Sequence, residues 1–194
     1  MWGTREHAGS ENTGPRAMRI IAGDRRGSRI SAPKGEHTRP TSDRAREAAF
    51  GLIGPVAGAA VLDLFAGSGA MGLEALSRGA GRCVFVDSDR AACRVIQDNL
   101  ARLHLTGALV LCRDAFQLLR EDRAAGRTYD LVLADPPYDA WNDLQQRLGE
   151  AVLPLLAPDG MLVVETAAKV EPVLPLDLVT SRRYGSARIS LFTR

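Results

Sequence analysis

Two clusters of residues in this sequence could do chemistry. The first is Asp135-Pro136-Pro137-Tyr138. Two consecutive prolines give no N–H to a neighbouring strand and fix the backbone in an extended bend, so their carbonyls stand rigid beside a carboxylate. An aromatic face follows directly. Such a site suits a planar amine whose lone pair is delocalised into a ring. Its N–H groups would donate to the Asp135 carboxylate and the Pro136 carbonyl, localising the lone pair while Tyr138 stacks on the ring. That amine could attack an electrophilic methyl carbon without a strong general base, because it becomes cationic and then loses a proton easily. The tetrapeptide does not choose among ring amines, and N6 of adenine, N4 of cytosine or even a glutamine amide would fit. The competing account is a rigid structural turn. Carbon-5 pyrimidine methylation would need a Pro-Cys element here, and there is none. Cys83, Cys93 and Cys112 fall within or beside strands and a helix, as core residues do.

The second cluster surrounds a glycine loop. Gly67-Ser68-Gly69-Ala70-Met71-Gly72 satisfies G-x-G-x-x-G after an apolar run and before a helical one, a pattern that serves dinucleotides. Glycine is also needed merely to turn a strand tightly into a helix, so the flanking acids decide. Asp63 lies four residues before the loop, where a pyrophosphate would meet a carboxylate of its own sign. A cationic ligand would welcome it, and S-adenosylmethionine carries an ammonium and a sulfonium. Asp87 ends the next apolar run, placed to accept both ribose hydroxyls of any adenosine-type ligand. Ser88 follows it, and Asp89 reads as a helix N-cap. Asp114, with Ala115, could meet an adenine edge or cap a helix, and the two roles can coexist.

Elements must hold these residues in place. AAVLDLF, RCVFVD, ALVLC, YDLVLAD and GMLVVET read as short buried strands, with helical segments between them starting near residues 70, 88, 114 and 140. Regular alternation of this kind implies an α/β fold with a parallel sheet covered on both faces. The last twenty residues, PLDLVTSRRYGSARISLFTR, read as two strands joined at Tyr184-Gly185. With no helix between them they form an antiparallel hairpin at one edge. Ligands of such sheets bind outside the carboxyl ends of the strands, where both clusters fall.

Ahead of this body the pattern differs. Residues 1–17 show no periodicity and read as a disordered leader. Met18 onward looks like a β-hairpin with arginines at its tip, and a helix follows Pro40, capped by Thr41 or Ser42. Three units result: 1–17, a basic extension over 18–56, and the body over 57–194. The chain of 194 residues has a net charge of only +2, yet residues 16–46 hold nine basic residues against three acidic ones. A basic segment on a mildly acidic body suggests a polyanion held at one end. Arg25, Arg26 and Arg29 in the hairpin, then Arg39, Arg44 and Arg46 around the helix, are the candidate contacts; a solvated arm with surface ion pairs is the plainer account. No run approaches a membrane span, and three scattered cysteines with three histidines exclude a disulfide scaffold or zinc ribbon. A reducing cytoplasm and a monomer are expected, with no metal.

The two clusters together, VLDLFAGSGAMGLEALSRG with the Asp87 acid and LVLADPPY, resemble the class I S-adenosylmethionine-dependent methyltransferases. RIIAGDRRGSRI followed by TRPTSDRARE narrows the likeness: the chain from about Arg19 to its end resembles the bacterial RsmD family. That family methylates N2 of one guanine, number 966, of 16S ribosomal RNA. The resemblance implies a Rossmann-like fold with a mostly parallel seven-stranded sheet, helices on both faces and an antiparallel C-terminal strand. It places Asp63, Phe65, Gly67, Ser68, Gly69, Asp87, Asp114 and Ala115 at an S-adenosylmethionine pocket, with Ser88 beside them. Asp135 to Tyr138 would form the catalytic loop. Arg39, Thr41, Asp43, Arg44 and Arg46 would face cofactor and RNA, the partner being 16S ribosomal RNA or a small-subunit assembly particle. The family often has Glu where this chain has Asp87. Competing readings are a DNA or RNA adenine-N6 methyltransferase, which would need more target-recognising chain, and an NAD-dependent oxidoreductase, which would leave Asp63 and the tetrapeptide unexplained.

Overall fold

The computed structural model describes residues 18–33, 43–137 and 141–194. The expected leader, with Arg39, Thr41, Ser42 and Tyr138, lies outside the described residues. The elements are α1 (Asp43–Ile53), β1 (Ala60–Leu64), α2 (Ala70–Ser77), β2 (Arg82–Asp87), α3 (Arg90–Leu103), β3 (Ala108–Cys112), α4 (Ala115–Ala124), β4 (Tyr129–Ala134), α5 (Trp141–Val152), β5 (Leu156–Ala167), β6 (Asp177–Tyr184) and β7 (Ala187–Thr193). The helical pattern expected to run through Leu156 stops at Val152. Pro154 has no N–H to continue the ladder, and Leu153–Leu155 tighten into a single 3-10 turn.

The seven strands lie in the order β3-β2-β1-β4-β5-β7-β6. The first five run parallel, and β7 is antiparallel to both its neighbours. This is the Rossmann-like α/β sheet anticipated above. Alternation along each strand sorts the core into two layers. Val61, Leu131, Leu133, Val163, Ile189 and Leu191 meet α1, α2 and α3 on one face. Leu62, Leu64, Val132, Val164 and Phe192 meet α4 and α5 on the other.

The basic extension is built into this body. Met18, Ile20 and Ile30, with Ala49 and Phe50 of α1, join the first core layer. The expected two-stranded hairpin reduces to one antiparallel bridge, Arg19 with Arg29. The N–H groups of Ile20, Gly27 and Ile30 donate across it to the carbonyls of Ser28, Ile20 and Met18, and further bonds tie it to the body. The Glu74 carboxylate of α2, fully buried, accepts the N–H groups of Ile21 at 2.7 Å and Ala22 at 2.9 Å. Arg78 Nε donates to the same carboxylate at 2.8 Å, and Arg46 Nε lies 3.7 Å away.

Removing one partner from a buried charge cluster costs about 3–5 kcal/mol. Glu74→Ala should therefore lower the urea unfolding free energy by about that much. Glu74→Gln, which keeps an acceptor for one N–H, should lose less.

Candidate active site

The sheet order reverses direction between β1 and β4, and a crevice opens there at the carboxyl ends of the strands. Both sequence clusters reach it. Asp63 is the fourth residue of β1 and sits beside Leu133 of β4. Asp135 follows β4 directly, its N–H 3.5 Å from the Leu64 carbonyl. Together with Met71, Leu133, Ala134, Val163, Glu165 and Ile189 they line one small cleft. The cleft thus holds three carboxylates, and Glu165 was not singled out from the sequence. It sits on β5 in an apolar run, LVVET, where its alternation with Val163 marks the core face rather than a site.

Asp63 is 4% exposed, and its Oδ2 accepts the Gly72 N–H at 2.9 Å. Burial pushes its carboxyl up from an ordinary 3.8 to about 8; the Gly72 N–H opposes this and the nearby Asp87 charge adds to it. A buried acid of this kind is primed to ionise when a cation arrives.

The glycine loop divides its work by position. A Cβ on Gly72 would lie 2.3 Å from the Phe85 ring and 2.7 Å from Cys83 Sγ, so this glycine lets α2 close onto β2. Gly67 has φ +53°, and a Cβ there would meet nothing nearer than 4.0 Å. Its side of the backbone is open to close approach by a ligand. Phe65 also takes a left-handed conformation, φ +56°, at the strand's exit. Its ring meets Phe116 of α4 edge-on, with centroids 6.5 Å apart.

Asp87 organises the loop as well as facing it. Oδ2 accepts the Gly67 N–H at 2.8 Å, and Oδ1 accepts the Asp89 N–H at 2.8 Å. Two thiols brace the same turn: Cys93 Sγ donates to the Asp87 carbonyl at 3.4 Å and Cys112 Sγ to the Ser88 carbonyl at 3.9 Å. Cys112 is exposed, not a core residue as expected, because it ends β3 at the rim of the sheet. The Cys93 thiol is pushed up to about 12, by burial first and then by its contact with Cys112. Asp89 caps α3 through the Ala91 N–H, and Asp114 caps α4 through the Gln117 N–H. The structure therefore gathers Asp63, Phe65, Gly67, Ser68, Gly69, Asp87, Ser88, Asp114, Ala115 and Asp135 to Pro137 at one end of the sheet. These residues fit a cationic, adenosine-bearing ligand.

The expected RNA arginines separate. Arg46 is completely buried, paired with Asp43 at 2.8 Å and donating to the Arg19 carbonyl, so it is a structural cation and not an RNA contact. Arg25 caps α3: its Nε donates to the Leu103 carbonyl at 2.5 Å. Its turn also binds Ser77 at the end of α2. Those helix ends lie at the opposite end of the sheet from the cleft, and the turn that carries the exposed Arg26 is held there. Arg29 and Arg44 are exposed.

A family model described as conserved hypothetical protein 95 matches residues 18–193. The chain belongs to this family, the RsmD family. A relative from Bacillus subtilis, YlbH, whose name assigns it rRNA methylation provisionally, is 38% identical over 91% of this chain and 99% of its own. Ribosomal RNA small subunit methyltransferase D of Escherichia coli is 37% identical over 82% of this chain and 77% of its own. Among solved structures, a hypothetical protein of Thermus thermophilus with 31% identity superposes with TM-score 0.78, covering 91% of this chain and 99% of that one.

The raised Asp63 carboxyl has a pH signature. In the unfolded chain it ionises near 3.8, in the folded chain near 8. Between those values the folded state holds one more proton, so this group makes stability fall as pH rises. Asp63→Asn, which keeps an acceptor for Gly72, should remove one proton's worth of that decline. Urea unfolding at a series of pH values from 4 to 8 would show it as a flatter curve.

Proposed function

We propose that the chain transfers the methyl group of S-adenosylmethionine to the exocyclic N2 amine of a guanine in the 16S ribosomal RNA of the small subunit, in the cytoplasm. One observation carries the reading: Asp135, which opens the Asp135-Pro136-Pro137 bend, and the buried Asp63 line the same cleft, at the crevice where the glycine loop leaves β1. Family membership supports ribosomal RNA as the substrate, and the name of the Escherichia coli relative specifies the small subunit. Guanine N2 comes from the RsmD resemblance. No helix among the described residues is long and apolar enough to cross a membrane.

The residues divide the task. Asp87 is placed to accept ribose hydroxyls, Asp63 to face the positive charge of the methionine moiety, and Ala115 with Asp114 to meet the adenine. When bound, S-adenosylmethionine supplies an electrophilic methyl carbon. The Asp135 carboxylate accepts one N–H of the target amine and the Pro136 carbonyl the other, which draws the nitrogen toward tetrahedral geometry. Asp135 is also placed to hold the proton that the methylated amine sheds.

The deciding experiment is transfer of labelled methyl to unmodified 16S RNA and to small-subunit particles, followed by nucleoside identification. N2-methylguanosine is expected; N6-methyladenosine would overturn the target assignment, and no transfer to either substrate would overturn the activity. Asp135→Ala should lower the single-turnover rate by ~10²–10³ while cofactor and RNA affinity stay within a few-fold, since its bonds strengthen as the amine becomes nucleophilic. Asp87→Ala should weaken S-adenosylmethionine binding by roughly ten- to a hundred-fold in titration calorimetry, the cost of losing hydrogen bonds to a charged acceptor.

A further inference from the structure

The hairpin turn lies at the end of the sheet opposite the cleft, and a second group of exposed cations stands at the cleft's own end. β5 and β6 each pair antiparallel with β7, so β6 runs parallel to β5 and its carboxyl end lies at the catalytic edge of the sheet. That end carries Arg182 and Arg183, both exposed, and Lys169 is exposed in the turn after β5.

The register ties these residues to the site. Ala134 pairs with Val164, so Asp135 and Glu165 come next; Glu165 pairs with Ile189, and Ile189 with Arg182. Asp135, Glu165 and Ile189 line the cleft. Directly opposite residues share a face, so Arg182 stands on the cleft's face of the sheet, three strand spacings or about 14 Å from Asp135 along one row. That is a span of a few nucleotides.

Two features argue that these charges serve a ligand. Among the described residues neither Arg182, Arg183 nor Lys169 forms an ion pair; Glu171, the acid near them, is taken by Arg188 at 2.9 Å. Moreover Arg183 sits directly opposite Arg188, a like-charge pair that weakens the sheet. Blunting an exposed edge strand is the alternative use of such charges. It fails here because the other half of β6 leaves Leu178 and Val179 more than half exposed, with no charge beyond Asp177 at its start. The cations collect at the catalytic end only.

We infer that Arg182 on the cleft's face of β6, with Arg183 on the opposite face and Lys169 in the turn at the same rim of the sheet, forms the phosphate-binding track for the RNA strand flanking the target nucleotide. This rests on the RNA methyltransferase reading above, and the test separates the two. Unmodified 16S RNA and small-subunit particles would be titrated with wild type, with Arg182→Glu/Arg183→Glu, with the milder Arg182→Ala/Arg183→Ala, and with Arg26→Glu, at several salt concentrations. S-adenosylmethionine affinity and thermal unfolding are measured alongside. The double reversal should raise the RNA KM at least tenfold and reduce the slope of log affinity against log salt by about 1.4–1.8, the value for two phosphates. The double alanine variant should move the same way by less. Arg26→Glu should change the KM less than twofold, and cofactor affinity should stay unchanged throughout. Unchanged RNA affinity and slope in both double variants, with wild type active, would overturn the track and leave the methyltransferase standing. Loss of activity on particles with unchanged binding of naked RNA would also overturn it, assigning the edge to a protein component of the particle. Wild type that neither binds nor methylates RNA would instead overturn the reading beneath it.

Discussion

A buried carboxylate in the middle of α2 holds the two ends of the functional region together. Glu74 takes the N–H groups of Ile21 and Ala22 and the Arg78 guanidinium, with Arg46 of α1 close by. α2 starts at the glycine loop, while α1 packs against β6 and β7. One side chain therefore couples the cofactor loop, the N-terminal segment and the helix over the edge of the sheet. Without it, two backbone N–H groups and Arg78 would lose their acceptor, and the fully buried Arg46 a nearby counter-charge. The N-terminal segment would then rest on its apolar contacts through Met18, Ile20 and Ile30 and on its remaining polar ties to Ser77, Asn99 and the end of α3.

The catalytic end works by a related economy of charge. Asp63, Asp135 and Glu165 share a small cleft, and burial with the nearby Asp87 charge makes ionising Asp63 costly. The fold buries Asp63 most deeply and lets it keep its proton near neutrality. The same burial leaves it responsive to an arriving cation. Asp135, the first residue beyond β4, remains half-buried.

Much of this was legible in the sequence, because period-two and near-continuous apolar runs state a parallel sheet directly. The glycine loop, Asp63, Asp87 and Asp135 fall at strand ends, and strand ends are where such runs stop. What the sequence concealed was the fate of individual charges. Arg46 and Arg25 belong to a basic run, yet one is buried under α1 and the other caps α3. Net charge by segment could not distinguish a cation used by the fold from one left for a ligand. The same averaging hid Arg182 and Arg183, since residues 47–194 are slightly acidic as a whole. Glu74 looked like any helical glutamate because its partners lie more than fifty positions away.

Asp87 has one more consequence. Its two oxygens hold the Gly67 and Asp89 N–H groups as part of the fold, and the Cys93 and Cys112 thiols brace the turn from behind. The shape of the adenosine crevice is thus settled when the chain folds. A ligand arriving there has little backbone to immobilise, so the entropic penalty that burdens loops ordered by their guests is met in advance. Preorganisation of this kind makes a shorter acid workable in place of glutamate: reach matters less when the loop is drawn in to the carboxylate.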